Sequence, residues 1–227
     1  MKTLDRILGP RVSREELHAH PGTYRLPAIL FTGAALVLMV SLLLPYWVLR
    51  MAAPQFPDGL SIKAYVNRLA GDVVELEGLN HYVGLDSFEN GAVFERSIAI
   101  YAVIVLSGLL VGALLIHSRW VVVLVFPALV FPIVFLADLH YWLWRFGHNL
   151  DTTAPLANAV GEFTPPIFGP AEIAQFDTWA LPGPGFILAV VASVIVVIGL
   201  YYHRKAYKPL VDALADAELA NAEEDES

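Results

Sequence analysis

The sequence predicts an all-α membrane protein: four transmembrane helices with two extracytoplasmic excursions, the first carrying a short β-hairpin. Three observations predict it. Apolar residues make up 57% of the 227, and mean hydropathy is +0.60, more than an ordinary soluble domain carries. Those residues are gathered into four runs, each long enough to cross the ~30 Å hydrocarbon layer. The Lys and Arg residues lie mainly at one set of run ends.

Residues 1–25 form a polar leader containing Lys2, Arg6, Arg11, Arg14 and Arg25. Ser13 followed by Glu16 has the spacing of a capping box, predicting a short helix. His18 and His20 fall in it, but an i, i+2 pair points to opposite sides of a helix and reads as surface. The first span covers 26–49. No small-residue cleavage signal follows it, so it reads as a retained span. Pro45 bends or ends its helix, and Tyr46 and Trp47 suit the interfacial aromatic belt.

Residues 50–96 form the first excursion. Pro54, Pro57, Asp58 and Gly59 make a turn. Ser61–Asn67 and Asp72–Glu77 alternate partly, as short strands do, with Ala70-Gly71 as the turn between them. Gly78–Gly84 reads as a glycine-bracketed loop, and Asp86–Arg96 as a short amphipathic helix. The second span, 97–116, contains Gly108 and Gly112, whose spacing allows close helix approach. A three-residue turn, 117–119, makes it an antiparallel hairpin with the third span.

The third span, 120–144, contains Pro127 and Pro132, which predict bends. The second excursion, 145–183, is rich in Pro and Gly, with one or two helical turns expected between Ala171 and Trp179. The fourth span covers 184–202, and 203–227 is an acidic tail, helical at first and then disordered.

Orientation follows from charge. Nine Lys/Arg lie in the leader, the short turn and the tail, against five in the two excursions. The positive-inside rule therefore puts both termini in the cytoplasm, as expected for a bacterial inner (plasma) membrane protein, and both excursions outside. His81, His140 and His148 then share the outer face.

The densest chemistry lies between Asp138 and Asp151, where two histidines, two carboxylates, an arginine and three Tyr/Trp rings occur together. With no cysteine in the chain, disulfides, thiolate sites and CxxCH haem attachment are excluded. A metal would have to use His, carboxylate, Met or backbone oxygen, and imidazole suits copper. The candidate metal ligands are His81, His140 and His148, with Asp138 and Asp151 as oxygen ligands or orienting partners. In a continuous helix, Asp138 and His140 point about 200° apart, and His140 and His148 stand about 12 Å apart along the axis. A shared ion therefore requires a break, expected at Gly147, which would let His148 and Asp151 meet. The alternative is an interfacial anchor, with Tyr141, Trp142 and Trp144 in the aromatic belt and Arg145 reaching the headgroups.

Other classes fit less well. No histidine pair lies at matched depth mid-bilayer, as a haem held between two helices needs. The spans lack the broken polar segments of a transporter. No nucleophile motif, phosphate loop or HExxH occurs, so a stand-alone enzyme is not expected. There is no basic nucleic-acid footprint.

Several outer segments resemble a family. Phe56-Pro-Asp-Gly-Leu60, Gly71-Asp72, Leu79-Asn-His-Tyr-Val-Gly84, Trp144-Arg-Phe-Gly-His-Asn-Leu-Asp151, Phe163-Thr-Pro-Pro166 and Pro182-Gly-Pro-Gly185 are similar to motifs of small polytopic membrane proteins. Those proteins are found with the nitrous oxide reductase maturation and copper-delivery genes of denitrifying bacteria. The resemblance covers both excursions and much of the third span. It implies a role in assembling or supplying a periplasmic copper enzyme, and it assigns no ligands.

The resulting expectation is an inner-membrane accessory protein whose outer face handles copper or docks a periplasmic copper protein. Its partners would be the lipid bilayer and a periplasmic or membrane protein. The alternative is a structural or assembly subunit of a larger membrane complex without a metal of its own. A weaker third option is a quinol- or haem-linked membrane anchor.

Overall fold

The computed structural model describes residues 7–10, 12–53, 56–173 and 176–225. Lys2, Arg6, Arg11 and Pro54 lie outside them. The elements in chain order are α1 (Arg14–Ala19), α2 (Pro21–Ser41), β1 (Trp47–Ala53), β2 (Phe56–Ala64) and β3 (Leu69–Gly71). They continue with α3 (Val73–Val83), α4 (Val93–Gly112), α5 (Val121–His148), α6 (Ala157–Val160), β4 (Gly169–Ile173), β5 (Phe176–Pro182) and α7 (Pro184–Asp225). Ser13 caps α1 as expected, its hydroxyl accepting from the Glu16 N–H at 3.2 Å.

Four helices are long and apolar enough to cross a membrane: Pro21–Ser41, Val93–Leu115, Val121–His148 and Pro184–Ala217. Only 22–28% of each one's most apolar stretch is buried. Exposed apolar side chains such as Leu36, Tyr101, Val123, Ile133 and Val197 cover the rest, a surface suited to hydrocarbon rather than water. The four helices make this a multi-pass membrane protein by length and composition.

The chain is not all-α. A five-stranded antiparallel sheet, in the order β3-β2-β1-β5-β4, joins the two excursions. Its central strand, β1, takes Trp47–Leu49 from the residues assigned by sequence to the first span and continues into the first excursion; the helix itself begins earlier and ends at Ser41. The physical cause is Pro45, which lacks a donor and bars helical geometry at the residue before it. β1 pairs with both neighbours: Leu49 faces Ile62 on one side and Ala180 on the other.

Five further expectations change. The expected second strand at Asp72–Glu77 lies mostly in α3, whose buried residues Leu76, Asn80 and Val83 recur at helical rather than alternating spacing. The expected Gly78–Gly84 loop is the rest of that helix, ended by Gly84 at φ 87°, a left-handed cap that favours glycine. The β2–β3 turn falls at 65–68, and the Ala70-Gly71 pair belongs to β3. The helical turns expected at Ala171–Trp179 are the β4–β5 hairpin, in which Pro170 pairs with Trp179. The tail is helical to Asp225 rather than disordered, continuing α7.

The chain divides into two compact units. One contains 1–38, 105–130 and 191–227, and the other 39–104 and 131–190. In the first, the Ser107 hydroxyl donates to the Ala35 carbonyl and His203 Nε2 lies 2.8 Å from the Ile116 carbonyl. A Cβ at Gly108 would meet nothing within 4 Å, so the GxxxG pair makes no tight helix crossing. In the second, the sheet's inner face packs on α3 through Leu60, Ile62 and Leu76. Each such burial stabilises by about 1.5–3 kcal/mol. The Ser41 and Tyr46 hydroxyls, both buried, are 2.6 Å apart across the α2–β1 connection.

Candidate functional site

The stretch from Asp138 to His148 is the end of α5. At 1.5 Å per residue this helix is about 42 Å long, more than the hydrocarbon thickness. The expected break at Gly147 is absent: the helix runs to His148, and the Asn149 N–H still donates to the Arg145 carbonyl. Gly147 serves a different purpose. A Cβ there would collide with the Phe163 backbone, whose N–H donates to the Gly147 carbonyl at 3.1 Å. Glycine lets the second excursion cross the helix.

Because the helix is unbroken, His140 and His148 keep their separation along the axis. His140 is exposed. His148 stacks on Trp144 at 4.8 Å, its Nδ1 lies 2.9 Å from the Trp144 carbonyl, and its Nε2 lies 3.9 Å from Glu162. Asp151 lies beyond the helix. Its carboxylate accepts from the Thr153 N–H at 2.9 Å and the Thr153 hydroxyl at 2.7 Å, and these two bonds hold its pKa below the usual carboxylate value. His81 is exposed on α3, and Gly84, which ends that helix, accepts from the Asp151 N–H at 2.7 Å. The structure thus brings the end of α3 against Asp151 and His148 near Glu162. Among the described residues, no three His, Asp or Glu side chains gather as a metal site would need.

Asp138 belongs to a different arrangement. It lines a cavity of about 420 Å³ in the sheet-bearing unit, within the size range of small-molecule sites. The inner face of the sheet supplies Trp47, Leu49, Met51 and Ile62 to its wall; α3, α4, α5 and the segments that connect them, with Phe163 and Pro165 of the second excursion, supply most of the rest. The polar lining is sparse: Asn80 from α3, Glu95 and Arg96 from α4, and Asp138 and Trp142 from α5. Three buried nitrogens among these make no hydrogen bond: Asn80 Nδ2, Arg96 Nε and Trp142 Nε1. Asp138 and Trp142, one turn apart, are close enough to interact, yet Nε1 lacks a bond of ordinary geometry. Glu95 and Asp138 repel each other across the same space.

Sequence reasoning did not single out Asn80, Glu95, Arg96 or Trp142 as one group. One signal was present: a charged Glu95-Arg96 pair stands within the first turn of a membrane-length helix, where charge is costly unless partnered. The group is drawn from three separate helices, so no contiguous motif in the sequence holds it.

No protein-family model matches the chain, and comparison with curated proteins finds no match.

Proposed function

We propose that this is a multi-pass accessory protein of the bacterial inner membrane, with no catalysis of its own, that docks and assists maturation of a periplasmic copper oxidoreductase such as nitrous oxide reductase. The positive-inside distribution supports cytoplasmic termini and an extracytoplasmic sheet. The resemblance of the excursion motifs supports the copper-enzyme context.

The observation that carries the docking role is the outward face of the sheet. Strand alternation sends Phe176, Thr178 and Ala180 inward and Asp177, Trp179 and Leu181 outward. Trp179 is 45% exposed and Leu181 41%, and Arg50, paired with Trp179, is exposed beside them. Large aromatic and Arg side chains on a rigid scaffold are typical interface anchors. The test is affinity purification of the tagged full chain from membranes of denitrifying cells. Wild type is expected to capture the oxidoreductase, and Trp179→Ser with Leu181→Ser to reduce capture about tenfold. Undiminished capture by the double variant would overturn the docking face.

The backbone contact between Asp151 and the end of the His81-bearing helix favours a second reading, in which the outer histidines hold copper transiently and a partner completes the coordination. Copper titration of wild type and of the combined His81→Ala, His140→Ala and His148→Ala variant tests it. Equal binding by both would remove copper handling while leaving the docking role intact.

A further inference from the structure

We propose that the cavity beneath the sheet is a lateral site for a lipid acyl chain, which enters it from the bilayer beside α4 and α5. The starting observation is the length of its wall. On α5 the lining residues Phe131, Phe135, Leu139, Trp142 and Phe146 recur every three or four positions, which makes one stripe along the helix. At 1.5 Å per residue that stripe is about 22 Å long, whereas the hydrocarbon of one leaflet is only ~15 Å deep. Trp47, Leu49 and Met51, alternate residues of β1, line the same space. A long apolar trough suits an extended chain better than a compact guest.

The chemistry of the wall disfavours other occupants. Its polar side chains are engaged within the protein or closed off. The Arg96 guanidinium donates to the Glu89 carbonyl at 2.5 Å, Asp138 interacts with Trp142 one turn on, and the Asn80 side-chain nitrogen is buried away from the space. Glu95 stands in the first turn of α4, at the end of a membrane-length helix. Water inside the protein needs two to four polar partners, and this lining offers too few. An empty trough would leave the lining without contacts on one side. The opening lies against the membrane. Ile98 and Ala102 of α4 and Val134 of α5 both line the cavity and are exposed. They belong to membrane-length helices whose exposed surface is apolar, so the cavity is continuous with the hydrocarbon around them.

Trp47 is the natural reporter. It borders the cavity, yet only 5% of it is exposed, so lipid around the protein reaches its ring only through that space. The full chain with Trp120→Phe, Trp142→Phe, Trp144→Phe and Trp179→Phe keeps Trp47 as the sole tryptophan. The difference between wild type and Trp47→Phe gives the same reading without those four changes. The probe is phosphatidylcholine brominated in mid-chain, which quenches tryptophan on contact, supplied as nanodiscs. Trp47 fluorescence is expected to fall as the brominated fraction rises, and iodide in the aqueous phase to leave it unchanged. Ala99→Leu with Ala102→Phe fills the mouth and should restore the fluorescence, with a melting temperature no lower than that of its parent. Trp47 unquenched by brominated lipid, quenched by iodide, or still quenched by lipid when the mouth is filled would overturn the proposal.

Discussion

Asp151 shows how a residue expected as a ligand is used locally. The two hydrogen bonds to its carboxylate come from Thr153, and they explain its lowered pKa. The sign of the pH dependence follows. A carboxylate with a depressed folded-state value contributes stability fully above its unfolded value of about 3.9, and loses it as pH falls through the folded value. Thr153→Val removes one donor, so the Asp151 pKa should rise toward the usual range, as a carboxyl carbon NMR titration would show. The difference in melting temperature between the two proteins should exist at neutral pH and narrow below about pH 4. Tyr46 gives a second residue-scale prediction. It is fully buried, and burial pushes its pKa up to about 12 despite the Ser41 hydroxyl beside it. Its phenol should therefore stay protonated in the folded protein at pH 11, which ultraviolet difference titration reads directly. Tyr46→Phe removes the 2.6 Å bond to Ser41 and should cost about 1 kcal/mol.

At the scale of elements, the helical frame was legible and the sheet was not. Runs of apolar residues announce a membrane-length helix by themselves, so all four were located, with ends displaced by several residues. β1 is different. Its inner face is apolar because it is a central strand, and its partner β5 lies some 130 residues away, so nothing local separates Trp47–Ala53 from the end of the preceding helix. Gly147 was misread for a related reason. Glycine in a helix-like sequence can mark a break or a close crossing, and only the position of Phe163 tells them apart. Gly147→Ala should therefore destabilise by about 1–3 kcal/mol through overpacking. Gly108→Ala, where a Cβ meets nothing within 4 Å, should be neutral or stabilise by up to about 1 kcal/mol. Thermal unfolding in the same detergent compares the two.

At the scale of the whole molecule, the candidate site shifted from the histidines to the interior. The Asp138–Asp151 stretch drew attention by composition, but the unbroken α5 spreads its side chains along and around the helix: His140 is exposed, His148 rests on Trp144, and Asp138 lines the cavity. Only Asp138 among the expected ligands shares that space. The cavity draws on residues from both excursions and two spans rather than on any contiguous motif. The sheet supplies the surface on which the proposed docking role rests.

The central claim of the proposed function is that the sheet built by the two excursions is extracytoplasmic. The chain has no cysteine, so single-cysteine variants report position without background. Lys63→Cys on β2, Asp177→Cys on β5 and Lys205→Cys on α7 should be treated with a membrane-impermeant maleimide in intact spheroplasts. Labelling of the first two, with Lys205→Cys labelled only after lysis, is the predicted result. Labelling of Lys205→Cys in intact spheroplasts, or protection of either sheet position, would contradict the account.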